Sequence, residues 1–423
     1  MKVILVAPAW RQCLWEDPKP LFPPLNLGIV AALTPPGIEV RIVDESVTPV
    51  DFEAGADLVG ITAMTALAPR AYAIADAFRA RGVPVVLGGM HPSAVPEEAL
   101  EHADAVVVGE AEGLWPELLA DFQAGRMRPV YRATQSRPLT GLPQPRRDLW
   151  DPAKYLVPNT VQTTRGCPFA CNFCAVSNFF GRTFRHRPVD EVVQEVSSLP
   201  GRLVGFVDDN IIASGRYARE LFRALIPLRI QWFSQGSLNL ADDEELLGLA
   251  AQSGCVGMFI GLESLTQSNL DRIGKRVNHV ERFQKAIDKI HRFGIAIEGA
   301  FIFGLDNDDA GVFRRTVNFA RRCRLEAAQF SILTPLPGTP LYREMQEQNR
   351  ITDRDWSRYN FAQVVYTPLT IPAEKLQQGF NWAWHKFYSY PSILRRLGWR
   401  PRRHRGILWA LNLSFRRRVQ KYV

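Results

Sequence analysis

Apolar and polar positions alternate along the chain in two series. In the first, from Met1 to about Tyr131, the runs KVILVAP, EVRIVDE, DLVGITA, VPVVLGG and DAVVVGE are apolar at nearly consecutive positions. Such runs predict strands buried on both faces, as in a parallel sheet. Between them, NLGIVAALT, APRAYAIADAFRARG and PEEALEHA carry apolar residues at helical spacing. The alternation predicts a doubly wound α/β sheet with a ligand crevice beyond the carboxyl ends of its strands. Gly60, Gly88, Gly89 and Gly109 fall at those ends. Glycine there permits close approach to a ligand, and equally serves a tight turn. The opening MKVILVAPAW reads as the first strand rather than a signal peptide, because one lysine and a very short apolar run lead directly to Pro, Trp and Arg.

The stretch RATQSRPLTGLPQPRRDLWDPAKYLVP has no periodicity and is rich in proline and arginine, which predicts a linker. A second series follows, with strands expected at TVQTTRG, LVGFVDD, IQWFSQGSLN, CVGMFIGLES, IAIEGAFIFGL and AQFSILTPL. Helical patterns intervene, among them DEVVQEVSSL, ARELFRALI, DEELLGLAAQSG and VERFQKAIDKIHRFG. Six βα units are too few for an eightfold barrel and suit a partial (β/α)6 barrel with functional residues at its strand ends. From Ile351 the chain turns aromatic-rich and then arginine-rich, predicting a mainly helical extension. The expected organisation is a first domain over 1–132, a linker over 133–158, a barrel over 159–350 and an extension over 351–423.

Composition changes this picture in two places. Apolar residues at 46% and charged ones at 22% are ordinary for a soluble globular protein, and no apolar run is long enough to span a bilayer. The six cysteines do not form an evenly spaced framework, and three are clustered. That favours a reducing cytoplasm and a metal or redox role over disulfides. The net charge of +8 is an average over unlike parts: beyond Glu374 there are twelve basic residues and no acidic one. The body is mildly acidic.

The chemistry concentrates in TTRGCPFACNFCAV, where Cys167, Cys171 and Cys174 stand in a C-x₃-C-x₂-C spacing just after the first strand of the second series. A structural zinc site takes four ligands and an iron–sulfur cubane normally takes four cysteines. Three thiols leave one position for something else. This spacing resembles that of the radical S-adenosylmethionine (SAM) superfamily. The resemblance implies a [4Fe–4S] cluster on the three thiolates, with SAM chelating the fourth iron through its amino and carboxylate groups and undergoing reductive cleavage. It further implies roles for matching residues. Phe173 packs near the adenine. Asp208 and Asp209, in FVDDN, meet the SAM amino end, although either also suits a helix cap. Ser237 and Asn239, in SLN, and Glu263, in GLES, contact the carboxylate and ribose, and Ile302 is the apolar adenine contact. His186, His279, His291 and His385 are read as surface or packing residues.

The first series, through GGMHPSAVPEEAL and ADAVVVGEAEGLWPELL, resembles the Rossmann-like cobalamin (B12)-binding domain that precedes the radical SAM core in one subgroup. Where such domains supply a histidine to cobalt, the motif is D-x-H-x-x-G, followed by S-x-L and GG. Here DESVTP keeps Asp44, has Ser46 in place of the histidine and Pro49 in place of the glycine. Thr62 begins the stretch matching S-x-L, Gly88 and Gly89 keep the pair, and Gly109 ends the next strand. Ser46 cannot supply a nitrogen to cobalt. Either cobalamin binds without a protein histidine, or the domain keeps the fold without the cofactor.

The resemblance implies a cobalamin-dependent methyltransferase acting on an unactivated carbon of a small-molecule or lipid-like substrate, with flavodoxin or ferredoxin as electron donor. The alternative keeps the radical SAM core but ends in rearrangement, oxidation, cyclisation or aminocarboxypropyl transfer. The tail PSILRRLGWRPRRHRGILWALNLSFRRRVQKYV has three readings: packing of Trp399 and Trp409 on the barrel, contact with an anionic membrane surface, or an acidic partner. Nucleic acid is not expected, because no recognition motif accompanies the arginines.

Overall fold

Val3 to Val6 are buried on both faces, which a strand achieves only in the middle of a covered sheet. In the computed structural model they form β1 (Lys2–Ala7) of a parallel sheet with β2 (Glu39–Asp44), β3 (Leu58–Thr62), β4 (Val85–Gly88), β5 (Ala105–Val108) and β6 (Val130–Arg132). The order is β2-β1-β3-β4-β5-β6. β1 pairs with β2 on one side and β3 on the other, Val3 facing Val40 and Leu58. The strand order therefore reverses at β1, and the crevice beyond its carboxyl end opens there. Helices Ala68–Arg79 and Pro96–His102 cover one face, and Leu25–Ala32 and Leu114–Gln123 the other. The edge strand β6 and the helix Leu114–Gln123 add to the elements expected.

The structure describes all residues except 12, 17, 18, 134, 135, 182 and 399–404, and the side chain of Arg405. The second sheet comprises β7 (Thr160–Val161), β10 (Leu203–Phe206), β11 (Gln231–Gly236), β12 (Cys255–Glu263), β13 (Ala296–Phe303) and β14 (Ala327–Ile332), all parallel and in sequential order. This is the expected six-stranded series, with β7 and β14 at its edges. The expected first strand, TVQTTRG, is broken after Val161. Its second part turns away as β8 (Thr164–Arg165), which pairs antiparallel with β9 (Arg185–His186). The cause is a contact distant in sequence: the Thr163 and Thr164 amides donate to the Asp208 carboxylate instead of to a neighbouring strand.

Two segments bind the sheets together. The loop after β1 crosses to the barrel, where Leu14 joins the core, the Trp15 indole donates to the Asn360 carbonyl and Phe22 stacks on Phe233. The linker ties to both sides through Tyr155, which donates to Asp44, and Arg147, which donates to Thr160 O and Glu195.

The extension contains helices Ala373–Phe387, Tyr390–Leu397 and Arg405–Tyr422. Arg396 is buried and donates to the carbonyls of Leu325, Glu326 and Phe387 and to Asn412 Oδ1. Asn412, Phe415 and Val419 are buried beside it, so the last helix packs by this face. Trp409 is half-buried. Trp399, Arg400, Arg402 and Arg403 lie outside the described residues. Among the described residues no helix is long and apolar enough to cross a membrane.

Candidate functional site

The three cysteines lie in the loop that joins β8 to β9. Gly166 opens that loop at φ +83°, and a Cβ there would collide with the Thr183 carbonyl oxygen. Only glycine accommodates both the left-handed backbone and the close approach. Beyond it the Cys174 amide donates to the Cys171 carbonyl, the Asn172 amide to Ile273 O, and the Leu341 amide to Asn172 O. The loop is thereby stitched to segments after β12 and β14. Cys174 precedes the short helix Ala175–Phe179.

Cys171 is buried, Cys167 and Cys174 are half-buried, and all three are free thiols. Burial pushes each thiol up, Cys171 to about 11, while Lys275 pulls each back. Among the described residues no three His, Cys, Asp or Glu side chains converge as a single-ion site requires. A cubane asks for less convergence, since each thiolate binds a different iron. The donor set, three thiols with a cation beside them, fits such a cluster: it carries negative charge that Lys275 offsets.

Around this loop the strand ends present polar groups. Asp208, fully buried, accepts through Oδ1 from the Thr163 amide (2.9 Å) and hydroxyl (2.9 Å) and from the Thr164 amide and hydroxyl (2.6 Å). Burial pushes Asp208 up to about 6 against the pull of these donors. Its duty is to shape the start of the cysteine loop, not to face a ligand through Oδ1. Burial likewise pushes Asp209 up to about 6, opposed by the Gly166 amide and Arg165. Asp209 also bears electrostatically on Cys167, which places it on the cluster side.

Asn210 Nδ2 donates to Ser237 Oγ at 3.2 Å, and Ser237 donates to Asn239 Oδ1 at 2.5 Å. Buried Asn172 Oδ1, Asp208 Oδ2, Asp209 Oδ2 and Asn210 Oδ1 have no hydrogen-bond partner among the described residues. Buried polar atoms normally find partners, and four acceptors around one loop suit a ligand carrying an ammonium and hydroxyls, as SAM does.

Glu263 ends β12 at φ +65°, where the register with β13 shifts. A left-handed backbone in a non-glycine residue is costly and concentrates at functional sites. Gly261 has no side chain to obstruct the Glu263 carboxylate, which pairs with Lys275 Nζ at 3.2 Å. Burial works against the Lys275 charge, but Glu263 and Cys171 outweigh it and its pKa is raised. Lys275 is thus a half-buried cation between the cysteines and Glu263. Sequence reading missed it and Asn210. Asn210 lies beside the two aspartates in FVDDN; Lys275 carries no signal beyond being a lysine in a loop. Ile302 is half-buried between buried Phe301 and Phe303, so it faces the opposite side of β13, toward the barrel interior. Phe173 is half-buried against the barrel core.

At the first sheet Thr62, Gly88–Gly89 and Gly109 lie together at the carboxyl ends of β3, β4 and β5. Gly109, at φ +89°, has open space where a Cβ would stand, and the nearest atoms to such a Cβ on Gly88 are 3.8 Å away. This glycine-lined cradle fits a large ligand against the strand ends. Gly89 is close-packed against Thr62 and Ala63 instead. Asp44 is engaged by the Ser46 amide (2.9 Å) and by Tyr155 (3.1 Å), and Ser46 is exposed in the turn. DESVTP therefore brings no nitrogen donor to the cradle. The helix Met90–Ala94, which starts after Gly89, rests on Ala175–Phe179, which starts after Cys174. Cradle and cysteine loop face one another.

A glycine-lined Rossmann-type sheet set against a partial barrel with a three-cysteine loop defines a two-cofactor enzyme. The comparisons place it further. Residues 161–320 match the radical SAM superfamily and residues 14–119 the B12 binding domain. The chain is 34% identical to bacteriochlorophyllide d C-12(1)-methyltransferase of Chlorobaculum tepidum, over 99% of this chain and 94% of that one. It is 32% identical to bacteriochlorophyllide d C-8(2)-methyltransferase of the same organism, over 92% and 90%. Among solved structures its fold resembles the radical SAM methyltransferase TsrM of Kitasatospora setae, with TM-score 0.68 and 21% identity over 82% of this chain and 78% of that one. The chain belongs to the radical SAM superfamily, in the subgroup that carries a B12-binding domain. It is a radical SAM enzyme whose cofactors are a [4Fe–4S] cluster, SAM and cobalamin.

Proposed function

We propose that the enzyme transfers a methyl group to an unactivated carbon of a small-molecule or lipid-like substrate. The observation that carries this reading is the cradle at Gly88 and Gly109 facing the cysteine loop across helices Met90–Ala94 and Ala175–Phe179. When bound, the cluster supplies the electron that cleaves SAM and cobalamin supplies the methyl group. The chain's residues bind and orient. Cys167, Cys171 and Cys174 hold the cluster. Lys275, held by Glu263, offsets its negative charge and receives the SAM carboxylate. Asp209 accepts from the SAM amino group, while Ser237 and Asn239, linked through Asn210, contact the ribose. Phe173 and Ile302 bracket the adenine.

Thr62, Gly88 and Gly109 would line the cobalamin site, with Gly89 closing the turn behind Gly88 and Asp44 and Ser46 at the margin, and Ser46 offers no nitrogen to the metal. The two relatives named above are methyltransferases of bacteriochlorophyllide d, which makes tetrapyrroles the first substrates to assay. Residues 1–132 form the B12-binding unit, 133–158 the linker, 159–350 the radical SAM core and 351–423 the extension.

A low-potential carrier such as flavodoxin or ferredoxin delivers the electron. Exposed Ile407 and Arg417 on the last helix are the tail's surface for anionic lipid; co-sedimentation with anionic but not zwitterionic vesicles tests this. The deciding experiment is anaerobic turnover of protein loaded with both cofactors. 5′-Deoxyadenosine together with S-adenosylhomocysteine is the expected product pair. Methylthioadenosine in their place overturns the methyl-transfer reading.

A further inference from the structure

Apart from the groups that face the cofactors, four charged side chains join the first sheet to the base of the cysteine loop. Glu110 and Glu112 follow Gly109 beyond β5. Arg165 and Arg185 face each other across the β8–β9 hairpin. Arg165 Nη1 reaches Glu110 Oε1 at 2.7 Å and Nη2 reaches Glu112 Oε1 at 2.6 Å. Arg185 Nη1 reaches the other oxygen of Glu110 at 2.9 Å. Glu110 thus bridges both strands of the hairpin, and Arg165 bridges both carboxylates. Arg165 Nε also donates to Gln162 at 2.9 Å, and Arg185 Nη1 to Arg137 O at 2.8 Å. Side-chain exposure is only 7% for Arg165, 13% for Arg185 and 12% for each glutamate.

Charges this enclosed lose hydration that their mutual attraction only partly returns, so such a group is a poor device for stability. It is a good device for geometry, because the planar guanidinium fork accepts a narrow range of carboxylate positions. Its location gives that geometry a use. Gly109, one residue before Glu110, lines the cradle, and Cys167 follows Arg165 by two residues. No other group of ion pairs among the described residues ties a cradle strand end to both strands that carry the cysteine loop.

We propose that Glu110, Glu112, Arg165 and Arg185 are positioning residues that set the separation and orientation of the cysteine loop relative to the B12-binding cradle, and so hold the two cofactors in register. The proposal rests on both cofactors acting together.

The test uses holoenzyme carrying a reduced cluster and cob(II)alamin, in wild type and in Glu110→Gln/Glu112→Gln. Three quantities are read: iron and cobalamin per chain, the dipolar broadening of the cob(II)alamin EPR signal by the reduced cluster, and 5′-deoxyadenosine formed per methylated product. The double variant is expected to retain both cofactors, to show weaker or more heterogeneous broadening, and to waste SAM severalfold more. A merely structural tie would lower the melting temperature while leaving broadening and product ratio as in wild type, and that result overturns the proposal. Should the double variant not fold, Glu110→Gln alone, which keeps the Glu112–Arg165 pair, is judged by the same criteria. Wild-type protein lacking either paramagnetic signal overturns the two-cofactor reading, and this proposal with it.

Discussion

Asp208 and Asp209 are adjacent in sequence and occupy different environments. Both leave Oδ2 without a partner among the described residues, but Asp208 Oδ1 collects four donors from Thr163 and Thr164, whereas Asp209 meets only the Gly166 amide and bears on Cys167. Asp208→Ala strands those buried donors, so a loss of about 3 kcal/mol in chemical denaturation is expected. Asp209→Ala is expected to weaken SAM binding about tenfold in equilibrium titration, the loss of one charge-assisted hydrogen bond, with a much smaller effect on denaturation. Comparable denaturation losses for the two would show that Asp209 is structural as well. At the cradle, Ser46→Ala should leave the cobalamin absorption spectrum of the loaded protein unchanged, because Ser46 is exposed in a turn. A shifted spectrum would place Ser46 in contact with the cofactor. The cysteines were legible from spacing alone. Lys275 was not, because its role comes from Glu263 and the cysteines, which only folding brings beside it.

Among elements, the β8–β9 hairpin matters most for the site. Its strands have two residues each, too few for independent stability, and it is held by Asp208, Glu110 and Glu112 from neighbouring elements. Gly166→Ala puts a side chain against Thr183 at a backbone angle that resists it. Iron bound per chain after anaerobic reconstitution should fall severalfold while the far-ultraviolet circular dichroism stays as in wild type. Full iron loading would show that the loop tolerates the shift. The pattern of apolar runs anticipated all six barrel strands and five of the six in the first sheet. It did not anticipate the break after Val161, since that depends on a carboxylate more than forty residues downstream. It also missed β6, which is too short and too peripheral to leave a continuous apolar run.

At the scale of the whole molecule, the two sheets share more than a linker. The loop after β1 places Leu14 in the barrel core, and Tyr422 of the last helix donates to Glu16 in that same loop at 2.6 Å. The basic tail is part of this assembly: Phe415 packs on Trp384 and Tyr388, and Asn412 accepts from buried Arg396. Truncation after Leu397 removes those partners and leaves Arg396 short of an acceptor. A melting temperature several degrees lower is expected, roughly the cost of uncovering one large aromatic site and one buried cation. An unchanged melting temperature would make the tail an independent appendage. The charge pattern alone left packing, lipid contact and an acidic partner open, because it does not say which face of a helix is covered.

What the sequence by itself determined is whatever depends on local order: the alternation of strands and helices, the spacing of three thiols, and the absence of a nitrogen donor at Ser46. These follow from periodicity and covalent neighbourhood. Only the tertiary structure decided which aspartate is spent on the backbone, that Lys275 and Glu263 stand beside the cysteines, and that four charges fasten the cradle to the loop. Each of those depends on groups distant in sequence meeting in a low-dielectric interior, where a single position changes the energy of a charge, and no pattern along the chain records that meeting.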